Sequence, residues 1–166
     1  MDELAQYLNP AGYYIYYNEF ELEKILNKKI IITQKHIDYI IPIFCNFNII
    51  VLFEKYGYVF TDDDYILLIK KNGKMLRYIS EDKKTNKICK LAVQQNGQAL
   101  CYVPKDKKTD ELCKIAVQQN GCALQDIPDS KKTDEICEIA INKTCAALLY
   151  IPKNKTIAYY EKMYRK

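Results

Sequence analysis

The 166-residue sequence is poor in several residues on which common protein functions depend. It contains a single histidine, His36, only two arginines and no tryptophan, and its seven cysteines include no CxxC pair. Zinc sites of the Cys/His type and thioredoxin-like chemistry therefore lack their usual ligands or spacing. The sequence also has no P-loop, GxGxxG or HExxH motif. We therefore expect no catalytic residues, no cofactor and no metal site.

Glycine and proline are scarce, with five of each, while apolar residues make up 49% of the chain, so the composition is that of a globular protein. Charge of one sign is not dominant: 25 basic and 21 acidic residues give a net charge of +4, unlike a dedicated nucleic-acid binder. The most apolar stretch, residues 37–53, contains Asp38 and Pro42 and is at the short limit of a membrane span, so we expect no membrane segment. The odd cysteine count, without a secretory pattern in residues 1–8, favours a reducing compartment.

What the sequence does contain is a 24-residue repeat. From Thr61 the chain divides without a gap into four blocks, 61–84, 85–108, 109–132 and 133–156, which we call R1 to R4. R2 and R3 are identical at 14 of 24 positions. Ordering one block costs about 1.5 kcal/mol per residue, which two short helices cannot offset by apolar burial. We therefore predict that the repeats are stable only when they stack.

Each block predicts a helical hairpin. A threonine begins every block as the expected N-cap of a first helix, and acidic or polar residues fill the next turn. For this reason we interpret Asp62, Asp63 and Asp64 as a first helical turn, although three carboxylates could also hold a hard cation. In R1 to R3 the first helix then ends at Asn-Gly, a pattern typical of a helix terminated by a glycine in the left-handed conformation. A second short helix follows and runs to a proline and a Lys-rich turn. In R2 the apolar residues of the first helix cover an arc of about 200°, much wider than the stripe of about 100° of a surface helix, so neighbouring repeats must cover it.

The two ends of the chain differ from the repeats. Residues 1–60 predict an atypical N-terminal cap with a degenerate repeat, in which residues 48–57 match the first helix of R1 and residues 58–60 form a shortened second helix. Residues 19–28 predict a further helix, and residues 13–17 fit either a strand or an irregular aromatic segment. Residues 157–166 predict a C-terminal capping helix. The fold class is therefore mainly all-α, a right-handed-type α-solenoid over 61–156 with an aromatic-rich N-terminal cap for which a mixed α/β structure stays open.

The motif Ala-Val-Gln-Gln-Asn-Gly-x-Ala-Leu, followed by proline and a Lys-Lys-Thr restart, resembles a repeat family of unknown function that is abundant in mimivirus-type giant DNA viruses of amoebae. The resemblance covers about residues 61–156. It implies an all-helical repeat fold and a viral setting, either the host cytoplasm with its virus factory or the virion. It implies no catalytic residues.

Two sets of side chains recur at fixed repeat positions. Cys89, Cys113 and Cys137 form a ladder with a spacing of roughly 10 Å, too long for disulfides, and we interpret them as small buried residues. The pairs Lys83-Lys84, Lys107-Lys108 and Lys131-Lys132 could follow a phosphate backbone, but acidic neighbours flank each pair and favour solvated turns.

The third, sixth and tenth positions of each block form the polar face of the first helix, and we predict that this face binds a partner. The candidate residues are Lys87, Lys90, Gln94, Glu111, Lys114, Gln118, Glu135, Glu138 and Asn142. Because the charge changes from basic to acidic along the stack, we expect Lys87 to face Glu111 and Lys114 to face Glu138. A purely solvated face stays open as an interpretation.

These observations favour a non-enzymatic viral repeat protein that serves as a protein–protein interaction scaffold. Its partner would be a viral or host protein, or a second copy of the chain. The alternative is a nucleic-acid-binding module that uses the Lys-rich turns together with Lys162, Arg165 and Lys166. Nearly neutral turns disfavour that alternative, because phosphate affinity depends on net positive charge.

Overall fold

The computed structural model describes residues 49–155, which are helical and contain no strand. The five α-helices are α1 (Ile49–Lys55), α2 (Asp62–Lys71), α3 (Asn86–Gln95), α4 (Asp110–Gln119) and α5 (Asp134–Lys143). Four long 3₁₀ helices follow α2 to α5, namely Gly73–Tyr78, Gly97–Tyr102, Gly121–Asp126 and Cys145–Tyr150. Three short 3₁₀ turns lie at Glu81–Lys83, Lys105–Lys107 and Asp129–Lys131. The prediction of a mainly all-α fold of tandem helix–turn units is confirmed, while the predictions for residues 13–17, 19–28 and 157–166 lie outside the described residues.

The helices α2 to α5 begin where the threonines predict. Each threonine hydroxyl accepts a hydrogen bond from a backbone N–H in the first turn, as Thr85 does from Ile88 at 3.3 Å and Thr109 from Leu112 at 3.2 Å. In α2 the carboxylate of Asp64 completes a capping box, because it accepts from the backbone N–H of Thr61 at 2.8 Å. Asp64 is therefore part of the helix start and is buried there.

The second helix of each hairpin is a 3₁₀ helix, and its start differs from our prediction. Asn72, Asn96 and Asn120 are extended, with φ between −151° and −142°, and each accepts a hydrogen bond from the N–H two residues later. Among the glycines of the described residues only Gly57, just after α1, has a positive φ, +85°. The prediction that the glycines of the Asn-Gly pairs end the first helices in the left-handed conformation is therefore wrong. Residues 58–60 likewise form no helix.

The next repeat packs so closely against each Asn-Gly pair that only glycine fits at its second position. A Cβ atom at Gly97 would lie 2.7 Å from the carbonyl oxygen of Ala116, and one at Gly73 would lie 2.5 Å from that of Ala92. At Gly121 the added atom would meet the carbonyl oxygen of Ala140. These distances are too short for any side chain, so the glycines allow a close approach between repeats instead of a special backbone angle.

Consecutive repeats pack directly against each other. Each of α3, α4 and α5 contacts the α-helix and the long 3₁₀ helix of the preceding repeat, and successive 3₁₀ helices also contact each other. The buried residues form one apolar cluster from α1 to the 3₁₀ helix of R4. Cys89, Cys113 and Cys137 lie inside it with at most 1% exposure, which confirms the interpretation of the cysteine ladder as small buried side chains. At the N-terminal end of the cluster, the rings of Tyr58 and Phe60 pack edge to face with their centroids 5.0 Å apart, and they extend the core toward α1.

The Gly97→Ala substitution should lower the free energy of unfolding by about 1–3 kcal/mol, because the new methyl group overlaps the carbonyl oxygen of Ala116. Urea unfolding followed by circular dichroism measures the change. The matched control is Cys145→Ala, since Cys145 occupies the same repeat position in R4 and is exposed. Equal effects of the two substitutions would show that the close approach does not limit the packing of the repeats.

Candidate partner-binding face

The nine predicted residues lie on the outer side of α3, α4 and α5 and are all exposed or half-buried. Lys114 and Glu138 are the two half-buried members. The set contains three lysines and three glutamates, so its formal charges cancel. The structure places these residues along a shared side of three neighbouring helices.

Two ion pairs join this face across neighbouring repeats. Lys90 contacts Glu111 at 2.8 Å, and Lys114 contacts Glu135 at 2.6 Å. Our expectation that Lys87 faces Glu111 and that Lys114 faces Glu138 is therefore wrong by one helical turn. The reason is a stagger between neighbouring helices, which brings the sixth position of one repeat next to the third position of the following repeat.

A row of aliphatic side chains runs through the polar face. Leu91, Ile115 and Ile139 occupy the seventh position of R2, R3 and R4, and each is half-buried against the core. On an α-helix the seventh position lies between the third and the tenth, so each aliphatic side chain is flanked by predicted face residues. The face therefore combines a polar, charge-balanced border with a central apolar row, the arrangement of residues found in many protein interfaces.

A surface pocket lies between α3 and α4 at the border of this face. Its volume is about 230 Å³, and it is lined by Asn86, Lys90, Lys107, Thr109, Glu111, Leu112 and Ile115. Two of the predicted residues, Lys90 and Glu111, are among these. The volume is below the range of about 300–1,000 Å³ typical of small-molecule sites, so the pocket fits a single side chain better than a cofactor.

The Lys-rich turns are largely structural, which corrects the interpretation of them as solvated turns. The second lysine of each pair is buried, with an exposure of 5% for Lys84, 7% for Lys108 and 9% for Lys132. Each Nζ donates to the last carbonyl of the long 3₁₀ helix in the next repeat: Lys84 to Tyr102 at 3.0 Å, Lys108 to Asp126 at 2.6 Å and Lys132 to Tyr150 at 2.8 Å. A cation at this end of a helix satisfies carbonyl groups that have no other helical partner.

The lysine at position 23 of the next repeat reaches back in the opposite direction. Lys107 donates to the carbonyl oxygen of Lys84 at 2.7 Å, and Lys155 donates to that of Lys132 at 3.1 Å. The same two carbonyl oxygens accept from the cysteine ladder, with Cys89 Sγ at 3.7 Å and Cys137 Sγ at 3.8 Å. The lysines and cysteines thus act together to join neighbouring repeats.

Gln119 is a further structural residue that the sequence did not reveal. Its amide nitrogen donates to the carbonyl oxygen of Gln94 at 2.5 Å, and its Oε1 accepts from the backbone N–H of Gly97 at 2.7 Å. Gln118, one position earlier and predicted to face outward, is exposed. The adjacent glutamines of R3 therefore have different roles, which two identical letters in a sequence cannot indicate.

The cysteines of the described residues are all free thiols, three of them buried, two exposed and one, Cys122, half-buried. Burial raises the pKa of Cys89, Cys113 and Cys137, although nearby lysines lower it in part. Cys101 and Cys145 are exposed. Within residues 49–155, no three His, Cys, Asp or Glu side chains come together in a way that could hold a metal ion.

These features define a tandem helical-repeat protein, in which recurring polar contacts join hairpins around one core. The chain belongs to the family described as a domain of unknown function, DUF4116, whose model matches residues 64–106 and 109–154. Each match covers most of two consecutive repeats, so the family unit corresponds to a pair of hairpins. The predicted resemblance to a helical repeat family of unknown function is confirmed to this extent. Comparison with curated proteins gave no match, and comparison with solved structures also gave none.

Over the described part of the chain, the longest helices have 10 residues and none is long and apolar enough to cross a membrane.

The Lys108→Met substitution should lower the free energy of unfolding by about 1–3 kcal/mol, because it leaves the carbonyl oxygen of Asp126 without its charged donor. The measurement is urea unfolding at neutral pH. Lys105→Met, three residues earlier on the exposed turn, serves as the control and should change stability by less than about 0.5 kcal/mol. If both variants unfold at the same urea concentration, the buried lysine does not join the repeats.

Alkylation with iodoacetamide near neutral pH should modify Cys145 at least about tenfold faster than Cys89, Cys113 and Cys137, because only an exposed thiolate reacts readily. The raised pKa of the three buried thiols lowers their thiolate fraction further. Peptide mass spectrometry after timed quenching gives the rate at each site, and the urea-unfolded protein provides the control in which this difference disappears. Rapid modification of the ladder in the folded protein would contradict the observed packing.

Proposed function

We propose that this protein is a non-enzymatic repeat protein of viral origin that acts as a protein–protein interaction scaffold through the outer face of α3, α4 and α5. The observation that carries the proposal is the row of half-buried aliphatic residues, Leu91, Ile115 and Ile139, within a polar border whose formal charges cancel. Covering this row with a partner would remove apolar surface from water, at roughly 25 cal/mol per Å².

The side chains of the border are available for recognition because other residues hold the repeats together. Buried lysines, the cysteine ladder and Gln119 supply the polar contacts between repeats. Lys87, Gln94, Gln118 and Asn142 are exposed. Specificity can therefore change at these positions without a change in the core, a property that supports the use of repeat proteins as binding scaffolds.

Charge favours a protein partner over nucleic acid. Among the lysines of the turns, Lys84, Lys108 and Lys132 are buried, and Lys131 is paired with Asp110 at 3.0 Å. On the predicted face, Lys90 and Lys114 are paired with glutamates. Most lysines of the turn pairs and of the predicted face are therefore buried or already paired, which weakens the alternative of a nucleic-acid-binding module that uses the Lys-rich turns.

The setting that we propose is the host cytoplasm with its virus factory, or the virion, of a giant DNA virus. The resemblance of the repeat motif supports the viral origin. The exposed free thiols of Cys101 and Cys145 support a reducing compartment, because exposed thiols persist where disulfide formation is disfavoured. The partner would be a viral or host protein, with self-association of the chain as a second form of the same activity.

Selection of a random displayed peptide library on the purified protein tests the proposal. We expect enriched peptides whose affinity, measured by fluorescence anisotropy, falls at least about tenfold in the double variant Gln94→Arg/Gln118→Arg, because bulky cations then flank the aliphatic row. The matched control is Gln98→Arg/Gln125→Arg, which places the same change on two exposed glutamines of the 3₁₀ helices and should change affinity less than about twofold. The absence of any enriched peptide, or equal losses in both double variants, would contradict the proposal.

The nucleic-acid alternative has its own measurement. Labelled single- and double-stranded oligonucleotides are titrated at about 50 mM and 200 mM salt, where phosphate-based binding should differ by orders of magnitude. We expect no binding at the lower salt concentration. Binding there that weakens steeply at the higher concentration would favour the alternative over the scaffold.

A further inference from the structure

The lysine at position 23 of a repeat contacts an aspartate at position 2 of the same repeat in R3 and R4. Lys131 contacts Asp110 at 3.0 Å, and Lys155 contacts Asp134 at 2.7 Å. In each case the carboxylate lies in the first turn of an α-helix and the lysine comes from the turn that ends the repeat. The two repeats thus show the same place occupied by the same chemical group, a carboxylate.

R2 lacks this carboxylate because its position 2 is Asn86. The lysine at position 23, Lys107, donates one hydrogen bond to the carbonyl oxygen of Lys84 at 2.7 Å. Among the interactions of residues 49–155 it makes no ion pair. An ammonium group has three donors, so Lys107 keeps donors and a full positive charge for another acceptor.

The pocket of about 230 Å³ lies at this point, and both Asn86 and Lys107 line it. Its other charged lining residues are Lys90 and Glu111, which pair with each other at 2.8 Å. Two lysines and one glutamate leave a formal charge of +1. The corresponding residues between α4 and α5 are Lys114, Lys131, Asp110 and Glu135, whose formal charges cancel.

We propose that this pocket binds the carboxylate of an aspartate or glutamate side chain from a partner polypeptide. The carboxylate accepts from Lys107 and from the side-chain amide of Asn86, in the role that Asp110 and Asp134 have in the following repeats. The methylene groups of the ligand contact Leu112 and Ile115, which also line the pocket. This inference rests on the proposed function, since it names the residue by which a partner would be fixed at one end of the face.

A carboxylate is favoured over other anions by the chain itself. Lysine binds phosphate as readily as carboxylate, so the charge alone does not choose between them. The equivalent lysines of the next two repeats nevertheless pair with carboxylates, Lys131 with Asp110 and Lys155 with Asp134, at normal ion-pair distances. An acidic side chain of a partner, placed beside Asn86 in the pocket, would therefore give Lys107 the type of acceptor that the equivalent lysines have.

The test is a ¹H–¹⁵N NMR titration of the full chain with the capped tripeptide acetyl-Gly-Glu-Gly-amide. We expect saturable shifts of the backbone amides of residues 86–90 and 107–112, and at least tenfold smaller shifts with the Gln counterpart of the peptide. Asn86→Asp should abolish the shifts, because it supplies an internal carboxylate to Lys107. Gln98→Glu adds the same charge at an exposed position of the 3₁₀ helix Gly97–Tyr102, away from the predicted face, and should leave the binding unchanged.

A gain of binding provides a second measurement. Asp110→Asn removes the internal carboxylate from Lys131 and should create a second set of saturable shifts near residues 110 and 131. Equal shifts with the Glu and Gln peptides, persistence of binding in Asn86→Asp, or inorganic phosphate binding at least tenfold more tightly than the Glu peptide would overturn the proposal.

The two proposals can fail separately. If displayed peptides bind the face but their affinity is the same in Asn86→Asp, the carboxylate pocket is wrong and the scaffold stands. If the Glu tripeptide binds as expected but no displayed peptide responds to Gln94→Arg/Gln118→Arg, the pocket is supported and the wider face is not the interaction surface.

Discussion

The approach of a glycine in one repeat to an alanine carbonyl oxygen in the next sets the distance between repeats, and most other features depend on that distance. At Gly97 and Ala116 it is so short that even a methyl group on the glycine would overlap the oxygen. Because the repeats lie this close together, the Nζ of Lys108 can reach the 3₁₀ helix of the following repeat. The side chain of Gln119 can likewise reach backbone groups of the preceding one. A larger separation would leave the buried Lys108 and the carbonyl oxygen of Asp126 without each other as partners, at a cost of about 1–3 kcal/mol.

The same distance explains which residues are free to vary. Positions between repeats carry alanine, cysteine or a lysine that satisfies carbonyl groups, and a change at any of them disturbs two repeats at once. The third and tenth positions of the blocks face outward and are not uniform along the stack: Lys87, Glu111 and Glu135 stand at the third position, and Gln94, Gln118 and Asn142 at the tenth. A surface that varies on a core that repeats is the condition under which a scaffold can distinguish one partner from another.

Much of the fold follows from the sequence, because the period of 24 residues repeats the same signals. The threonine caps predict the starts of α2 to α5, and the apolar arc predicts that both sides of each helix are covered. The sequence could not show that the second helix is 3₁₀, since in six residues the i+3 and i+4 patterns differ too little. It also suggested a left-handed glycine, because the need for a close approach to Ala116 is created only when the repeats are packed.

The candidate site was predicted less completely than the fold. Helical periodicity identifies the outward positions, and all nine predicted residues are exposed or half-buried. It cannot give the stagger between neighbouring helices, so Glu111 was expected to face Lys87, one turn away from its actual partner Lys90. The burial of the second lysine of each pair was missed for a related reason. Its acceptors are backbone carbonyl oxygens, which every residue has, so the sequence does not identify them.

Departures from the repeat are therefore the most informative positions in this chain, because the neighbouring repeats act as internal references. R4 has Cys145 where the other repeats have glycine, and Cys145 is exposed. R4 is the last repeat of the described residues, so none of their helices imposes on Cys145 the close approach that Gly97 makes to Ala116. R2 has Asn86 where R3 and R4 have an aspartate, and there the lysine that elsewhere is neutralised keeps its charge beside a pocket. The first departure is explained by the packing of the repeats, whereas the second leaves a charged group without an internal counterpart, which is the kind of feature that an external ligand would satisfy.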